Sequence, residues 1–352
     1  LMSKFTNIIG LMSGTSLDGL DICAVRFEEK QLQKFEIINC KTVPYNDQLR
    51  NKLKNSIYLS NEEISNLSIE LGVIFGNATN NFIKEYNLKN IDIISSHGHT
   101  IFHEPDIGKT LQIGDGKTIN KLTRIKTINN FRAQDVALGG QGAPLVPIGD
   151  MYLFEDFKYC LNLGGFANIS FKEENNIYAF DICPMNTVLN HYCKIIGAEF
   201  DLDGNFSKEG NVNKKLFNQL NSISYYEKKL PKSLGIEFVN KIIFPLIENY
   251  KIEIKDILNT YIHHVTHQIK KNVDTENEIL ITGGGAYNKT LINCLKKEKL
   301  KIHIPQKEIV DYKEALIFAF LGRLKNEGLN NCLKSVTGAS KDHSSGDVFN
   351  IY

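Results

Sequence analysis

The sequence predicts an α/β protein of two domains, and three observations carry that reading. Short apolar, strand-like runs alternate with stretches of helical periodicity along the chain. A strand, glycine turn, strand, strand order opens the chain and recurs from Tyr159 onward. A length of 352 residues is enough for two domains with a core each.

The opening stretch, Ile8 to Asp21, reads IIGLMSGTSLDGLD: an apolar run ends in Gly10, small residues follow, and Ile22-Cys23-Ala24-Val25 resumes the strand pattern. A turn with so little side-chain bulk can present backbone N–H groups and the hydroxyls of Ser13, Thr15 and Ser16 to an anion. Its aspartates suit the magnesium ion that accompanies a polyphosphate. The same composition also makes an ordinary hairpin turn. It is neither a P-loop nor a GxGxxG fingerprint, because the required Lys-Ser/Thr and glycine spacing are absent.

Gln33 to Val43 reads as a third strand. Asn46 to Tyr86 carries two helices, the second opening with a capping box from Ser60 to Glu63. Ile91 to Ile94 is a short strand ending at Ser95-Ser96-His97-Gly98-His99-Thr100, and Thr110 to Ile113 and Ile125 to Ile128 are two more. From Arg132 to Pro147 the composition turns small and loop-forming, which places a domain crossing there. Beyond it, Tyr159 to Leu163, Asn168 to Phe171 and Ile177 to Phe180 are strands around the Gly164-Gly165 turn. Helices follow through Lys271. A strand from Glu278 to Ile281 then meets Thr282-Gly283-Gly284-Gly285, and a helix runs from Lys313 to about Glu327.

Lys and Arg number 41 against 40 Asp and Glu, so nothing calls for nucleic acid or an anionic membrane as partner. No apolar run approaches the roughly 18 residues of a spanning helix, and no signal peptide opens the chain. Leu1 ahead of Met2 reads as an addition to the natural start. The seven cysteines are scattered and free of CxxC pairs, against both a disulfide framework and a zinc ribbon. A soluble cytoplasmic protein is expected. His97, His99 and His103 match no standard zinc spacing, and His263, His264 and His267 lack the Glu of HExxH and read as a helix face. No GxSxG elbow is present and Cys183 has no identifiable His partner, so covalent nucleophilic catalysis is unsupported.

Five motifs then occur in order: Met12 to Gly19 (MSGTSLDG), Gly139 to Pro147 (GGQGAPLVP), Asn162 to Asn168 (NLGGFAN), Pro231 to Gly235 (PKSLG) and Ser335 to Ser340 (SVTGAS). The layout resembles actin-like sugar kinases and ATPases, and the motifs together resemble the anhydro-N-acetylmuramic acid kinase family over essentially the whole chain. The fold this implies is α/β, with two actin-like (ribonuclease H-like) domains and an active-site cleft between them. Residues 1–131 plus 335–352 would form the first domain and 132–334 the second. The implied reaction is ATP-dependent: water opens the anhydro bridge of 1,6-anhydro-N-acetylmuramic acid and the freed O6 is phosphorylated, with ATP and Mg2+ as cofactors. The partners expected are a small amino-sugar substrate and, as assembly, a homodimer, with no nucleic acid and no membrane.

The resemblance also implies site residues. Asp181 is the expected general base, in Phe180-Asp181-Ile182-Cys183-Pro184-Met185-Asn186 where the family usually reads FDTGPGN. Cys183 and Met185 make this loop bulkier than a glycine-rich one. A strand-end Asp before a helix is also an ordinary N-cap. For the nucleotide, the matching positions are Gly14, Thr15, Ser16, Leu17, Asp18, Gly19, Leu20 and Asp21, with Gly164, Gly165, Gly283, Gly284 and Gly285. A tight strand-to-helix turn would equally account for the last three. Met12 stands where such kinases often carry Asp, leaving Asp18 or Asp21 as magnesium partner. For the sugar, the positions are His97, Gln112, Arg132 and Glu314, with Asp115 weaker. Arg132 would grip the lactyl carboxylate or form an interdomain salt bridge, and Glu314 would contact sugar or serve as a first-turn acid. The rival readings are an actin-like ATPase switch acting on a protein partner and a non-catalytic sugar-binding regulator.

Overall fold

The opening turn is flanked by β1 (Phe5–Ser13) and β2 (Gly19–Glu28), antiparallel and in register from Phe5 against Glu28 to Ser13 against Leu20. This is a computed structural model that describes residues 5–174, 176–230 and 232–350, so Leu1, and Pro231 of the PKSLG motif, lie outside the described residues. β3 (Phe35–Pro44), β4 (Ile93–Glu104), β5 (Lys109–Ile113) and β6 (Lys126–Asn129) follow. Residues up to Glu155, with those from Tyr312 on, form one unit, and Asp156–Asp311 forms the other. Sequence reading put the crossings at 132 and 335. The helices Ala133–Ala137 and Val146–Leu153 instead lie with the first unit. There the Ile317 side chain occupies the space a Cβ on Gly149 would need, and Thr337 donates to the Asp135 carboxylate.

The second unit contains β7 (Tyr159–Leu163), β8 (Phe166–Glu173), β9 (Asn176–Pro184), β10 (Glu278–Thr282) and β11 (Lys301–His303); β12 (Asp347–Phe349) closes the chain as an edge strand of the first sheet. The first sheet runs β12-β6-β4-β1-β2-β3, with β5 paired to β4, and the second runs β11-β10-β7-β8-β9. In each, three antiparallel strands lead and the next strand returns parallel to the first, as β4 does to β1 and β10 to β7. The fifth position is parallel as well, filled by β6 and β11. This is the strand order of a ribonuclease H-like fold, built twice.

Burial explains the layers. On the first sheet, Leu71, Phe75 and Phe82 of the helix Asn61–Glu85 pack with Ile9, Leu11, Ile22 and Ile94, and that helix starts at the Ser60–Glu63 capping box. The helix Lys307–Asn326 also belongs to the first sheet from Tyr312 on; a Cβ on Gly10 would stand 1.9 Å from the Ala315 carbonyl oxygen, so only glycine lets it approach β1 there. The second hydrophobic core is built from β7 to β10 and the helices Asn186–Ile195 and Ile254–Lys271.

Three expectations change. The strand expected over Ile91 to Ile94 is β4, which continues past an irregularity at His97-Gly98 (Gly98 φ +77°) because Ser13 of β1 and Ile113 of β5 both pair with His99. The strand carrying Asp181 runs to Pro184, so Asp181 lies inside β9 opposite Asn168, and the N-cap position of the next helix falls to Met185. The helix expected from Lys313 begins at Lys307 and is broken at Tyr312 (φ −118°, ψ 17°), which leaves Glu314 just after the break.

Candidate active site

β9 delivers Asp181. Ala167 pairs with Cys183 and Asn168 with Asp181, so Ile182 is an unpaired β-bulge residue beside the carboxylate. Oδ2 accepts the Leu234 backbone N–H at 2.9 Å, and the Tyr225 hydroxyl donates to the Asp181 carbonyl at 2.6 Å. Leu234 belongs to the PKSLG motif, so that motif has a structural purpose: it fixes one carboxylate oxygen. Among the described residues no donor reaches Oδ1. Burial pushes the Asp181 carboxyl above its ordinary value, partly offset by the Leu234 N–H. A half-buried carboxylate with one oxygen held, one open and a raised affinity for protons has the attributes of a general base. Neither Leu234 nor Tyr225 was signalled by sequence alone, because nothing in local spacing ties them to residue 181.

Two glycine turns of the second unit meet the start of the helix Asn186–Ile195. The Gly165 carbonyl accepts from the N–H groups of Met185 (2.8 Å) and Thr187 (3.2 Å), the Gly164 carbonyl accepts from Asn186 (3.2 Å), and the Asn186 side chain donates to the Leu163 carbonyl (3.1 Å). Gly283 has φ +81°, and a Cβ there would lie 2.6 Å from Asn162 Oδ1. A Cβ on Gly285 would strike Met185 Cε at 2.2 Å. Packing alone therefore accounts for Gly283 and Gly285. Gly284 differs, with only the Asn186 amide within 4 Å of a Cβ, and leaves room for a ligand's approach.

In the first unit the turn from Gly14 to Asp18 is closed by the Leu17 N–H bonding to the Gly14 carbonyl, with Leu17 at φ 62°. Thr15 and Ser16 are exposed, and among the described residues no acceptor takes their N–H or hydroxyl groups. Those donors fit a phosphate chain. Asp18 is exposed, and Asp21 accepts the Thr42 hydroxyl at 2.6 Å. Behind the turn, Tyr45 donates to Ser13 (2.7 Å), and Ser13 meets His99 Nδ1 (3.0 Å) in a buried chain.

His97, Arg132 and Glu314 come together. Arg132 Nε donates to His97 Nε2 at 3.0 Å, while His97 Nδ1 faces the Gly98 carbonyl at 3.0 Å, so the proton sits on Nδ1. Burial, then the Arg132 charge, holds His97 well below its usual range and neutral. Arg132 Nη1 donates to the Gly142 carbonyl at 2.7 Å. Glu314 keeps solvent access while densely surrounded: desolvation pushes its carboxyl up, and Arg132 and Lys313 pull it down. Gln112 stands apart, donating to Thr110 Oγ1 at 3.0 Å with its buried Oε1 unpaired. Asp115 is used as an N-cap, accepting from the Thr118 N–H and hydroxyl. His264, read as part of a helix face, is instead buried between Tyr226 and Asn221, with its pKa held down to about 3 by burial.

A family model for anhydro-N-acetylmuramic acid kinase matches residues 6–351. The chain belongs to that family. The anhydro-N-acetylmuramic acid kinase of Bacillus thuringiensis subsp. konkukian (strain 97-27) is 32% identical over 378 aligned residues, covering 97% of this chain and 98% of that protein. The one from Bacillus cereus (strain 03BB102) is likewise 32% identical over 378, again covering 97% and 98%. Of the loop that the resemblance led one to expect, Asp181, Pro184 and Asn186 are present, and Cys183 and Met185 stand where glycines were expected. Met185 and Cys183 are wholly buried in the second core, so the bulkier side chains fill apolar space and leave the carboxylate itself unobstructed.

Proposed function

We propose that this protein is an ATP-dependent anhydro-N-acetylmuramic acid kinase. It would convert 1,6-anhydro-N-acetylmuramic acid, ATP and water to N-acetylmuramic acid 6-phosphate and ADP, as a step in reusing cell-wall sugar in the cytoplasm. Family membership over residues 6–351 supports the substrate class, and the observation that carries the chemistry is the Asp181 carboxylate with its open Oδ1.

In this reading, water attacks the anomeric carbon and gives its proton to Asp181 Oδ1. The bond from that carbon to O6 breaks, and O6 attacks the γ-phosphoryl group, releasing ADP. Leu234 orients the base, and its raised affinity for protons suits it to the task. Thr15 and Ser16, with the turn N–H groups, hold phosphate oxygens, and Gly284 allows the nucleoside close approach. Magnesium, when bound, would supply charge neutralisation on the phosphates, and Asp18, with Asp21 once it turns from the Thr42 hydroxyl, would hold it. Arg132 grips the sugar's lactyl carboxylate, positioned by His97 and Gly142, with Glu314 and Gln112 contacting hydroxyl or amide groups.

The test is incubation with ATP, magnesium and the anhydro sugar in heavy-oxygen water, read by mass spectrometry, for wild type and Asp181→Asn. The expected product is a phosphorylated sugar carrying one heavy oxygen, with turnover reduced by about 10²–10⁴-fold in the variant. ADP release without a sugar phosphate would overturn the proposal.

A further inference from the structure

Behind the loop that holds Arg132, Asp135, Cys332 and His343 are all buried and bring one ligand atom each to within 4.8 Å of the others. We propose that they form a binding site for a divalent transition-metal cation, zinc by its donor set, which staples the C-terminal segment to the loop that holds Arg132.

Cys332 and His343 face each other across an antiparallel bridge, so their side chains project to the same side. His343 Nδ1 lies 3.2 Å from the Lys341 carbonyl, which places a proton on Nδ1 and makes Nε2 the nitrogen that a neutral ring would offer to a metal. Nε2 is buried, makes no hydrogen bond among the described residues and stands 3.5 Å from Asp135 Oδ1. That carboxylate already accepts the Thr337 hydroxyl at Oδ1 (2.7 Å) and the Gly142 N–H at Oδ2 (2.7 Å). An imidazole lone pair aimed at a carboxylate in a dry interior is unfavourable unless a cation lies between them.

A proton on Nε2 would make an ion pair with Asp135 instead, and Cys332 Sγ faces the Phe131 carbonyl at 4.0 Å; what favours a metal is that the three ligand atoms converge on one point. Binding a metal there would displace the thiol proton of Cys332. One imidazole nitrogen, one thiolate and one carboxylate oxygen match the mixed donors zinc accepts, with water for a fourth position, whereas calcium and magnesium favour oxygen alone. The consequence runs through the loop: Asp135 holds the Gly142 N–H, and the Gly142 carbonyl receives Arg132 Nη1.

The experiment uses the full chain. After dialysis to remove loosely held ions, elemental analysis should find about one zinc per chain. Metal-free protein titrated with Co2+ should develop a thiolate-to-cobalt charge-transfer band. That band should vanish in Cys332→Ser, and the retained zinc should be lost in His343→Gln, with both variants checked for native circular dichroism. Wild type that takes up no zinc and shows no cobalt band would overturn the proposal, as would zinc retained by the folded double variant. Nitrogen NMR on unmutated protein adds an independent arm: an Nε2 proton on His343 at saturating zinc would also sink it.

Discussion

The two units share a strand order and differ in what they do with polar groups at the strand ends. In the first, the polar side chains are tied to one another: Tyr45 to Ser13 and His99, Arg132 to His97, Asp135 to Thr337, and Lys313 to Asp150. In the second, the buried polar network of Tyr226, His264, Asn221 and Gln268 lies among the helices, the turn carbonyls of Gly164 and Gly165 are closed onto a helix start, and Asp181 keeps an open oxygen. The difference separates two requirements of catalysis. A recognition surface needs donors held rigidly by neighbours, whereas a general base needs one atom with nothing on it.

The largest expected effect on stability tests the rigid half. Lys313 and Asp150 meet at 2.6 Å with side chains only 6% and 7% exposed, so Lys313→Met takes the cation away from a buried carboxylate and should cost about 3–5 kcal/mol in denaturant unfolding. The counterpart in the second unit, Lys289 with Asp203 at 2.8 Å, has side chains 72% and 38% exposed, and Lys289→Met should cost less than about 1 kcal/mol. Equal losses would mean that the first unit's polar groups are no more integral than surface pairs.

Next in size is a pair of neighbouring glycines. Gly283→Ala places a Cβ at φ +81° and 2.6 Å from Asn162 Oδ1, which should destabilise by about 1–3 kcal/mol. Gly284→Ala should change stability by less than about 0.5 kcal/mol while raising the KM for nucleotide. If the two variants unfold alike, packing does not distinguish these positions and the glycine turn has no open side.

What was legible in the sequence follows the same division. Most strands, the Ser60 capping box and the five motifs were readable because they depend on local period and spacing, whereas the short edge strands β11 and β12 were not. The β-bulge at Ile182, the Leu234 anchor and the Asp135, Cys332 and His343 cluster were not, since each depends on register or on residues far apart in the chain. The His97-Gly98-His99 stretch misled for a physical reason. Its polar composition reads as a loop, and His97-Gly98 is indeed a bulge with Gly98 at φ +77°, yet β1 and β5 both pair with His99 and the strand resumes there. The cysteine spacing that argued against a zinc ribbon is silent on a site whose ligands come from three separate segments.

The smallest effect is the most discriminating, because it separates a reactive carboxylate from a structural one. Burial raises the Asp181 carboxyl above its ordinary 3.8, so between that value and the folded-state pKa the native chain binds more protons than the unfolded one. Stability attributable to this group therefore falls as pH rises through that window, the reverse of a salt-bridged carboxylate. Asp181→Asn removes the ionisation and keeps an acceptor for the Leu234 N–H. Its unfolding midpoint should consequently equal or exceed that of wild type at neutral pH, with the advantage gone below the ordinary carboxylate range. In wild type the acid limb of kcat/KM should lie above 3.8 for the same reason, since the base must be ionised to accept a proton. A variant less stable at neutral pH would show that the fold uses the charge; a destabilised active site is the expected condition of a group kept for chemistry.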